Sequence, residues 1–217
     1  MSWAFVEYNL AAVVLLATFW LLIARRISSA VNGYAFQSMV LGAVCLAAFL
    51  DSRLWHLLAL AASTVVIKGI AIPLVLRRQV RSTVYARREA AYYVGFPTAL
   101  LIGAALSIVG FVAGNRLELA PGVLGQPVLG VAIAVILVGF FMTLARREAV
   151  MQLVGLLVAE NGLLLLGLVL GAGLPLLIDF ALFLDVLVGA VVMGFLIARM
   201  HETVDTTDTS ELTRLRG

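Results

Sequence analysis

Charged residues are scarce in this sequence. Only 12% of the 217 residues are Asp, Glu, Lys or Arg, whereas 63% are hydrophobic, and the mean hydropathy is +1.11. A water-soluble domain of this length could not hide that much apolar surface in one core. A hydrocarbon layer about 30 Å thick is crossed by about 20 apolar residues in a helix, and such runs follow one another from end to end. The composition therefore excludes a soluble domain and predicts an all-α integral membrane protein.

The sequence has only one cysteine and none of the common catalytic motifs. The single cysteine, Cys45, lies in an apolar run, so it forms no intrachain disulfide and a cysteine-based metal site is excluded. The sequence contains no P-loop, nucleophile elbow or dinucleotide fingerprint, and no His/Cys/Asp cluster with metal-ligand spacing. We therefore expect this chain by itself to perform no redox or hydrolytic chemistry and to bind no metal or cofactor.

Seven apolar runs are long enough to cross a membrane, and each ends where charge, proline or glycine interrupts it. No basic segment and no small-residue cleavage pattern precede the first run, so we interpret it as a retained helix and not as a signal peptide. The predicted helices are 6–24, 32–50, 54–76, 92–114, 127–145, 149–171 and 174–199.

Arginine is distributed unevenly between the predicted loops. One side of the membrane has only Arg53 and Arg116. Cytoplasmic loops are rich in Lys and Arg, so the sequence predicts an N-terminus outside, a cytoplasmic C-terminus and a multi-pass protein of the cytoplasmic (inner) membrane. The arginines then need no nucleic-acid partner, although the basic run 77–88 would also suit anionic lipid or a partner protein. The predicted cytoplasmic side has Arg25, Arg26, Arg77, Arg78, Arg81, Arg87, Arg88, Arg146, Arg147, Arg199, Arg214 and Arg216.

Two carboxylates interrupt the last two predicted helices near mid-depth. Glu160 lies about 16 Å into its helix, and Asp185 reaches a similar depth from the opposite direction. A charged side chain at that depth costs about 2.5–3.5 kcal/mol on insertion scales, so both are expected to face inward. Burial disfavours the ionised form, which suits a group that takes up and releases protons. A hydrogen bond between helices, with no transport role, is the alternative for each.

Lys68 is the only lysine, and it lies too deep in the third predicted helix to serve as a topology charge. If it faces Glu160 or Asp185, it can exchange protons with a carboxyl group or hold that group ionised. The alternative is that its side chain extends toward the cytoplasmic surface.

Three further polar residues are candidates because of their position. Gln37 and Asn161 stand out by their depth, although buried amides more often only join helices. Asp179 lies near the outer end of the last predicted helix, where it is either the mouth of an ion pathway or an interfacial acid.

Separated segments together resemble a known family. The runs 146–162 (RREAVMQLVGLLVAENG) and 184–189 (LDVLVG) are similar to the last two helices of the K subunit of respiratory complex I and its antiporter C-subunit relatives. In that alignment the first Glu of those subunits falls on Leu157, one turn before Glu160. The whole chain resembles the hydrogenase-4 component E family. That resemblance rests on Asp185 and on the segments GYAFQSMVL (33–41), IKGIAIPLVL (67–76), VAENG (158–162) and LTRLRG (212–217).

The resemblance implies a membrane subunit of a group 4 nickel-iron hydrogenase complex related to complex I. Its partners would be antiporter-like and anchor membrane subunits, and cytoplasmic subunits that carry the nickel-iron site and iron-sulfur clusters. Glu160 and Asp185 would relay protons or cations, with Lys68, Gln37 and Asn161 in support, while the chain itself is non-catalytic. A non-translocating scaffold of the same complex and an independent transporter or sensor are the alternatives.

The predicted helices fall into four segments. They are an N-terminal three-helix group (1–76), a basic cytoplasmic loop with a connecting helix (77–126), a three-helix group similar to the complex I K subunit (127–200) and a polar cytoplasmic tail (201–217).

Overall fold

A computed structural model of the chain describes residues 3–82, 94–117, 124–171 and 189, with the backbone alone at 79–82. The chain divides into two compact units, Met1–Ala181 and Leu182–Gly217, and every helix given below belongs to the first. Only Gly189 of the second unit is described. The predicted seventh helix (174–199), with Asp179 and Asp185, and the predicted tail (201–217) otherwise lie outside the described residues.

Six helices of the described residues are long and apolar enough to cross a membrane. The third crossing, Trp55–Arg78, is a composite in which a π-helical segment separates two α-helices. The predicted all-α, multi-pass membrane protein is therefore confirmed over these residues. The elements are α1 (Trp3–Ile23), α2 (Ile27–Ser52), α3 (Trp55–Ser63), the π-helical segment (Thr64–Ala71), α4 (Ile72–Ser82), α5 (Phe96–Arg116), α6 (Pro127–Ala145) and α7 (Ala149–Leu170).

The observed helix ends differ from the predicted ones most clearly at α2. It begins at Ile27 instead of residue 32, directly after Arg26 in an extended conformation. The predicted start followed the apolar run, which is interrupted by the polar residues Ser28, Ser29 and Asn32. Polar residues are nevertheless favourable in the first turn of a helix, because its N–H groups lack partners within the helix.

Glycines allow α6 and α7 to approach closely. A Cβ atom on Gly155 would lie 2.6 Å from the backbone nitrogen of Thr143, and one on Gly162 would lie 2.8 Å from that of Ile136. Helices in a membrane associate largely by close packing of small residues. Of the six described crossings, α7 is the most buried. In its most apolar stretch 78% of the residues are buried, whereas the corresponding share in α5 is 22%.

Arg146 connects the turn between α6 and α7 to the end of α1. Its side chain is fully buried, and Nη2 donates hydrogen bonds to the carbonyl oxygens of Leu21 (3.2 Å) and Leu22 (2.9 Å). The last carbonyl groups of a helix lack partners within it and favour a nearby cation. Arg146, which the sequence suggested only as a topology charge, therefore also caps α1 and joins it to the turn between α6 and α7.

One end of the helix bundle carries most of the described arginines. Besides the Arg146 contacts, Arg77 donates to Asn32 Oδ1 (2.8 Å), and the Arg25 guanidinium lies 5.4 Å from the centre of the Phe96 ring. The first contact joins α4 to the start of α2, and the second joins the turn after α1 to the start of α5. We call this end of the bundle the basic end.

Replacing Gly155 with alanine tests the close approach of α6 and α7. We expect the free energy of unfolding to fall by about 1–3 kcal/mol, because the new methyl group meets backbone that cannot move aside cheaply. The measurement is thermal unfolding of the protein purified in a mild detergent. Gly95→Ala is the control, since a Cβ atom there meets nothing closer than 3.8 Å. Equal stability of the two variants would contradict this packing.

Candidate functional site

Lys68 and Glu160 form a buried ion pair between the third crossing and α7. Lys68 Nζ lies 3.1 Å from Glu160 Oε1, and the two side chains are 2% and 4% exposed. Each residue lies about 15 Å from the basic end at 1.5 Å rise per residue. Taking an ion out of water costs several kcal/mol, which only a well-placed opposite charge and further hydrogen bonds can offset. The pair is therefore a costly feature at mid-depth.

The π-helical segment presents Lys68 to the interior. Thr64 and Lys68 are both 2% exposed, whereas Val66 and Ile70 on the other face are 58% and 45% exposed. Proline has no N–H to donate to the carbonyl four residues earlier, and its ring crowds that carbonyl. Pro73 therefore favours a local departure from α-helical hydrogen bonding just where the segment lies. Such segments are rare and often occur at functional sites.

A chain of buried hydrogen bonds joins α1, α2 and α7 beside the ion pair. Gln37 Nε2 donates to Thr18 Oγ1 (2.8 Å), and Asn161 Nδ2 donates to Gln37 Oε1 (3.2 Å) and to Ser38 Oγ (3.3 Å). Thr18 Oγ1 in turn donates to the carbonyl oxygen of Val14 (2.9 Å). We call Thr18, Gln37, Ser38 and Asn161 the amide cluster; all four are fully buried.

The ion pair and the amide cluster meet on α7. Glu160 and Asn161 are consecutive, so their side chains point about 100° apart around the helix axis. One reaches the third crossing and the other reaches α2. We call the ion pair and the amide cluster together the polar centre; none of its residues is more than 4% exposed.

The polar centre has the chemistry of proton exchange and of dipole orientation. A glutamate and a lysine in contact can share or exchange a proton, and the neighbouring hydroxyl and amide dipoles adjust to the charge. Within the ranges described, no three His, Cys, Asp or Glu side chains come together as a metal-binding group.

Relatives of the chain cover nearly its full length. The uncharacterised protein Rv0085 of Mycobacterium tuberculosis is 31% identical over 193 residues, which is 88% of this chain and 87% of that protein. Hydrogenase-4 component E of Escherichia coli K12 is 26% identical over 223 residues and covers 100% of both chains. The predicted resemblance to hydrogenase-4 component E is therefore confirmed over the full length of the chain. The proteins of that name from Escherichia coli O157:H7 and Shigella flexneri align with the same identity and coverage.

The likeness of the last three predicted helices to the K subunit of complex I stays a prediction. No family model matches the chain, and no solved structure gives a significant match. In this chain Leu157 is fully buried on α7, whereas Glu160 one turn later carries the ion pair.

The structure brings four of the six predicted site residues together. Lys68 lies against Glu160, and Gln37 lies against Asn161. The other two, Asp179 and Asp185, are outside the described residues.

Sequence reasoning missed three buried polar residues that pack between helices. They are Glu7, Thr18 and Arg146. A threonine in an apolar helix is unremarkable because its hydroxyl can bond to its own backbone. Arginines at helix ends look like topology charges, and a carboxylate near a terminus looks interfacial. The sequence therefore gave no signal for the burial of these three residues.

A double-mutant cycle tests the ion pair. Lys68→Met should lower the free energy of unfolding by about 3–5 kcal/mol, because it removes the cation from a buried carboxylate. Lys68→Met combined with Glu160→Gln should recover most of that loss. The measurement is denaturant unfolding in a mild detergent. Arg77→Gln serves as the control, since its contact is exposed and worth less than about 1 kcal/mol. Strictly additive losses in the double variant would show that the two charges are not coupled.

Proposed function

We propose that this chain is a membrane-arm subunit of a hydrogenase-type complex related to complex I, and that it helps couple electron transfer in partner subunits to the translocation of protons or cations. The observation that supports it most is the buried Lys68–Glu160 pair at mid-depth. Full-length similarity to hydrogenase-4 component E provides the hydrogenase context.

A buried ion pair suits coupling because its protonation responds to charge nearby. Ionisable residues inside a membrane are expensive and are usually found on ion or proton pathways. Inside a protein the low dielectric strengthens each electrostatic interaction. A charge that appears in a neighbouring subunit therefore shifts the proton between Glu160 and Lys68, or releases it to a next acceptor.

The amide cluster supports this pair by supplying dipoles that can turn. Gln37 contributes both its amide nitrogen and its oxygen, so its hydrogen bonds link Thr18 to Asn161. Such a network polarises along its length when one member changes charge. Asp185 and Asp179 of the last predicted helix are the proposed continuation, as a second relay carboxylate and as a pathway mouth.

In this proposal the electron-transfer chemistry belongs to other subunits. The nickel-iron site and iron-sulfur clusters lie in cytoplasmic partners, antiporter-like and anchor subunits adjoin this chain in the membrane, and this chain is non-catalytic. In the proposed orientation the basic end faces the cytoplasm, because cytoplasmic loops are rich in arginine, and the complex belongs to the cytoplasmic (inner) membrane.

A scaffold without translocation is the second candidate. The contacts that favour it are the hydrogen bonds of Arg146 to the end of α1 and those within the amide cluster, since both join helices. For a scaffold, shape and hydrogen bonding matter, whereas the ability of Glu160 to ionise does not.

Glu160→Gln distinguishes the two candidates. It keeps the shape of the side chain and removes the titratable group, so proton translocation per electron should be lost while the complex still assembles. The measurement is proton uptake by native membrane vesicles during electron transfer. Glu148→Gln is the matched control, because it removes a carboxyl group just before α7, about 18 Å away along the chain. Normal translocation in an assembled Glu160→Gln complex would leave the scaffold as the function.

The partners are tested by isolating the intact complex. A tag on the C-terminus, extraction in a mild detergent and mass spectrometry should recover antiporter-like membrane subunits together with nickel-iron and iron-sulfur proteins. Recovery of the chain alone would contradict its role as a subunit and favour an independent transporter or sensor.

A further inference from the structure

Glu7 is a second buried carboxylate, and it lies at the end of the bundle opposite the basic end. It is in the second turn of α1, yet its side chain is only 2% exposed. Its neighbour Tyr8 is 41% exposed, so the helix is turned to place the acid inside and the aromatic ring outside. An acid near a membrane surface could have faced water on that surface without cost. Its burial therefore needs a physical reason.

A structural hydrogen bond to Glu7 Oε1 does not account for the burial of this side chain. Among the residues that the structure describes, no donor lies within hydrogen-bonding distance of Glu7 Oε1. Asp51, an exposed acid near the end of α2, is close enough to interact with it electrostatically. Burial away from water disfavours the ionised form of a carboxyl group, and the binding of a proton relieves that cost. The site thus has the features of a proton-binding position.

Glu7 also shares a face of α1 with the polar centre. The buried residues Glu7, Ala11, Val14 and Thr18 follow one another at intervals of four, three and four, which is the spacing of one helix face. Thr18 belongs to the amide cluster, and the Val14 carbonyl accepts its hydroxyl. The distance along the axis from Glu7 to Thr18 is about 16 Å, which is several hydrogen bonds long. A proton would therefore need intermediate carriers, such as water molecules, to cross it.

We infer that Glu7 is a proton-exchange group at the end of the bundle opposite the basic end, where it passes protons between the aqueous phase and the polar centre. This inference extends the proposed relay and rests on it. In the transfer, Glu7 takes a proton from one side and gives it to the next water molecule, so no bond other than O–H forms or breaks.

The first test is chemical labelling of the protein in native membranes. Dicyclohexylcarbodiimide reacts with protonated carboxyl groups in apolar surroundings, and mass spectrometry of the digested protein locates the adduct. We expect modification at Glu7 at neutral pH in a clearly larger fraction than at exposed Asp51. Equal or lower modification of Glu7 would overturn the inference. Since this measurement needs no electron transfer, it is independent of the activity of the complex.

The second test compares proton translocation by complexes with Glu7→Gln, Glu160→Gln and the control Tyr8→Phe, which removes a hydroxyl group from the exposed side of the same turn. Loss with both acid variants and retention with Tyr8→Phe would support the inference. Loss with Glu160→Gln alone would overturn it and leave the proposed function intact. Retention with both would overturn the two together. Loss with Glu7→Gln alone would also overturn the inference, because Glu7 would then not deliver protons to Glu160 in the polar centre.

If the Glu7→Gln complex does not assemble, Glu7→Asp tests the same position, because it keeps an acid on a shorter side chain. Its complex should remain labelled at position 7 and translocate protons. The contrary result is a Glu7→Asp complex that assembles and is labelled but does not translocate protons, while the Tyr8→Phe complex remains active. That result would overturn the inference, because it would show that shape and not proton exchange is required at this position.

Discussion

The buried contact between Lys68 and Glu160 sets the conditions that the rest of the bundle has to meet. Two charges removed from water are tolerable only if they touch and if lipid is kept away from them. Both residues reach the same depth from the basic end, and other crossings enclose them. The close, glycine-based approach of α6 to α7 helps to bury α7, the helix that carries Glu160.

A local departure from α-helical geometry directs one member of the ion pair into the interior. Widening of the third crossing at Thr64–Ala71 directs Lys68 inward, and Pro73 just beyond it favours that widening. On α7 the consecutive residues Glu160 and Asn161 point to different neighbours, so one short segment holds a charged pair and a neutral hydrogen-bond network side by side. The charge on Glu160 therefore interacts with the dipoles of the amide cluster.

The two ends of the bundle are built differently. At the basic end, arginines bind carbonyl groups, an amide and an aromatic ring, and Arg146 fastens α1 to the turn before α7. At the opposite end a carboxylate, Glu7, is buried near another acid. The polar centre thus lies between an end held by arginine contacts and an end with a buried acid.

Much of this could be read from the sequence, because it depends on local properties. Apolar runs long enough to cross a membrane are visible as composition, and the helices follow from them since every backbone group must be satisfied within lipid. Six crossings are confirmed over the described residues, and the predicted bounds of α6 hold at both ends. The depth of Lys68 and Glu160 followed from counting residues along each helix. The roles of these residues, and of Asp179 and Asp185, stay predictions.

The sequence by itself determined that the chain is helical, that it crosses the membrane repeatedly and that a few polar residues lie deep in it, because composition and residue spacing act within one helix. Only the tertiary structure decided which of those residues meet. The structure pairs Lys68 with Glu160 and places Thr18 beside Gln37, and it buries Glu7 and Arg146. These contacts depend on how helices far apart in sequence are rotated about their axes and on the extra width of the π-helical segment. Neither the rotation nor the added width is encoded in the hydrophobicity of a single run.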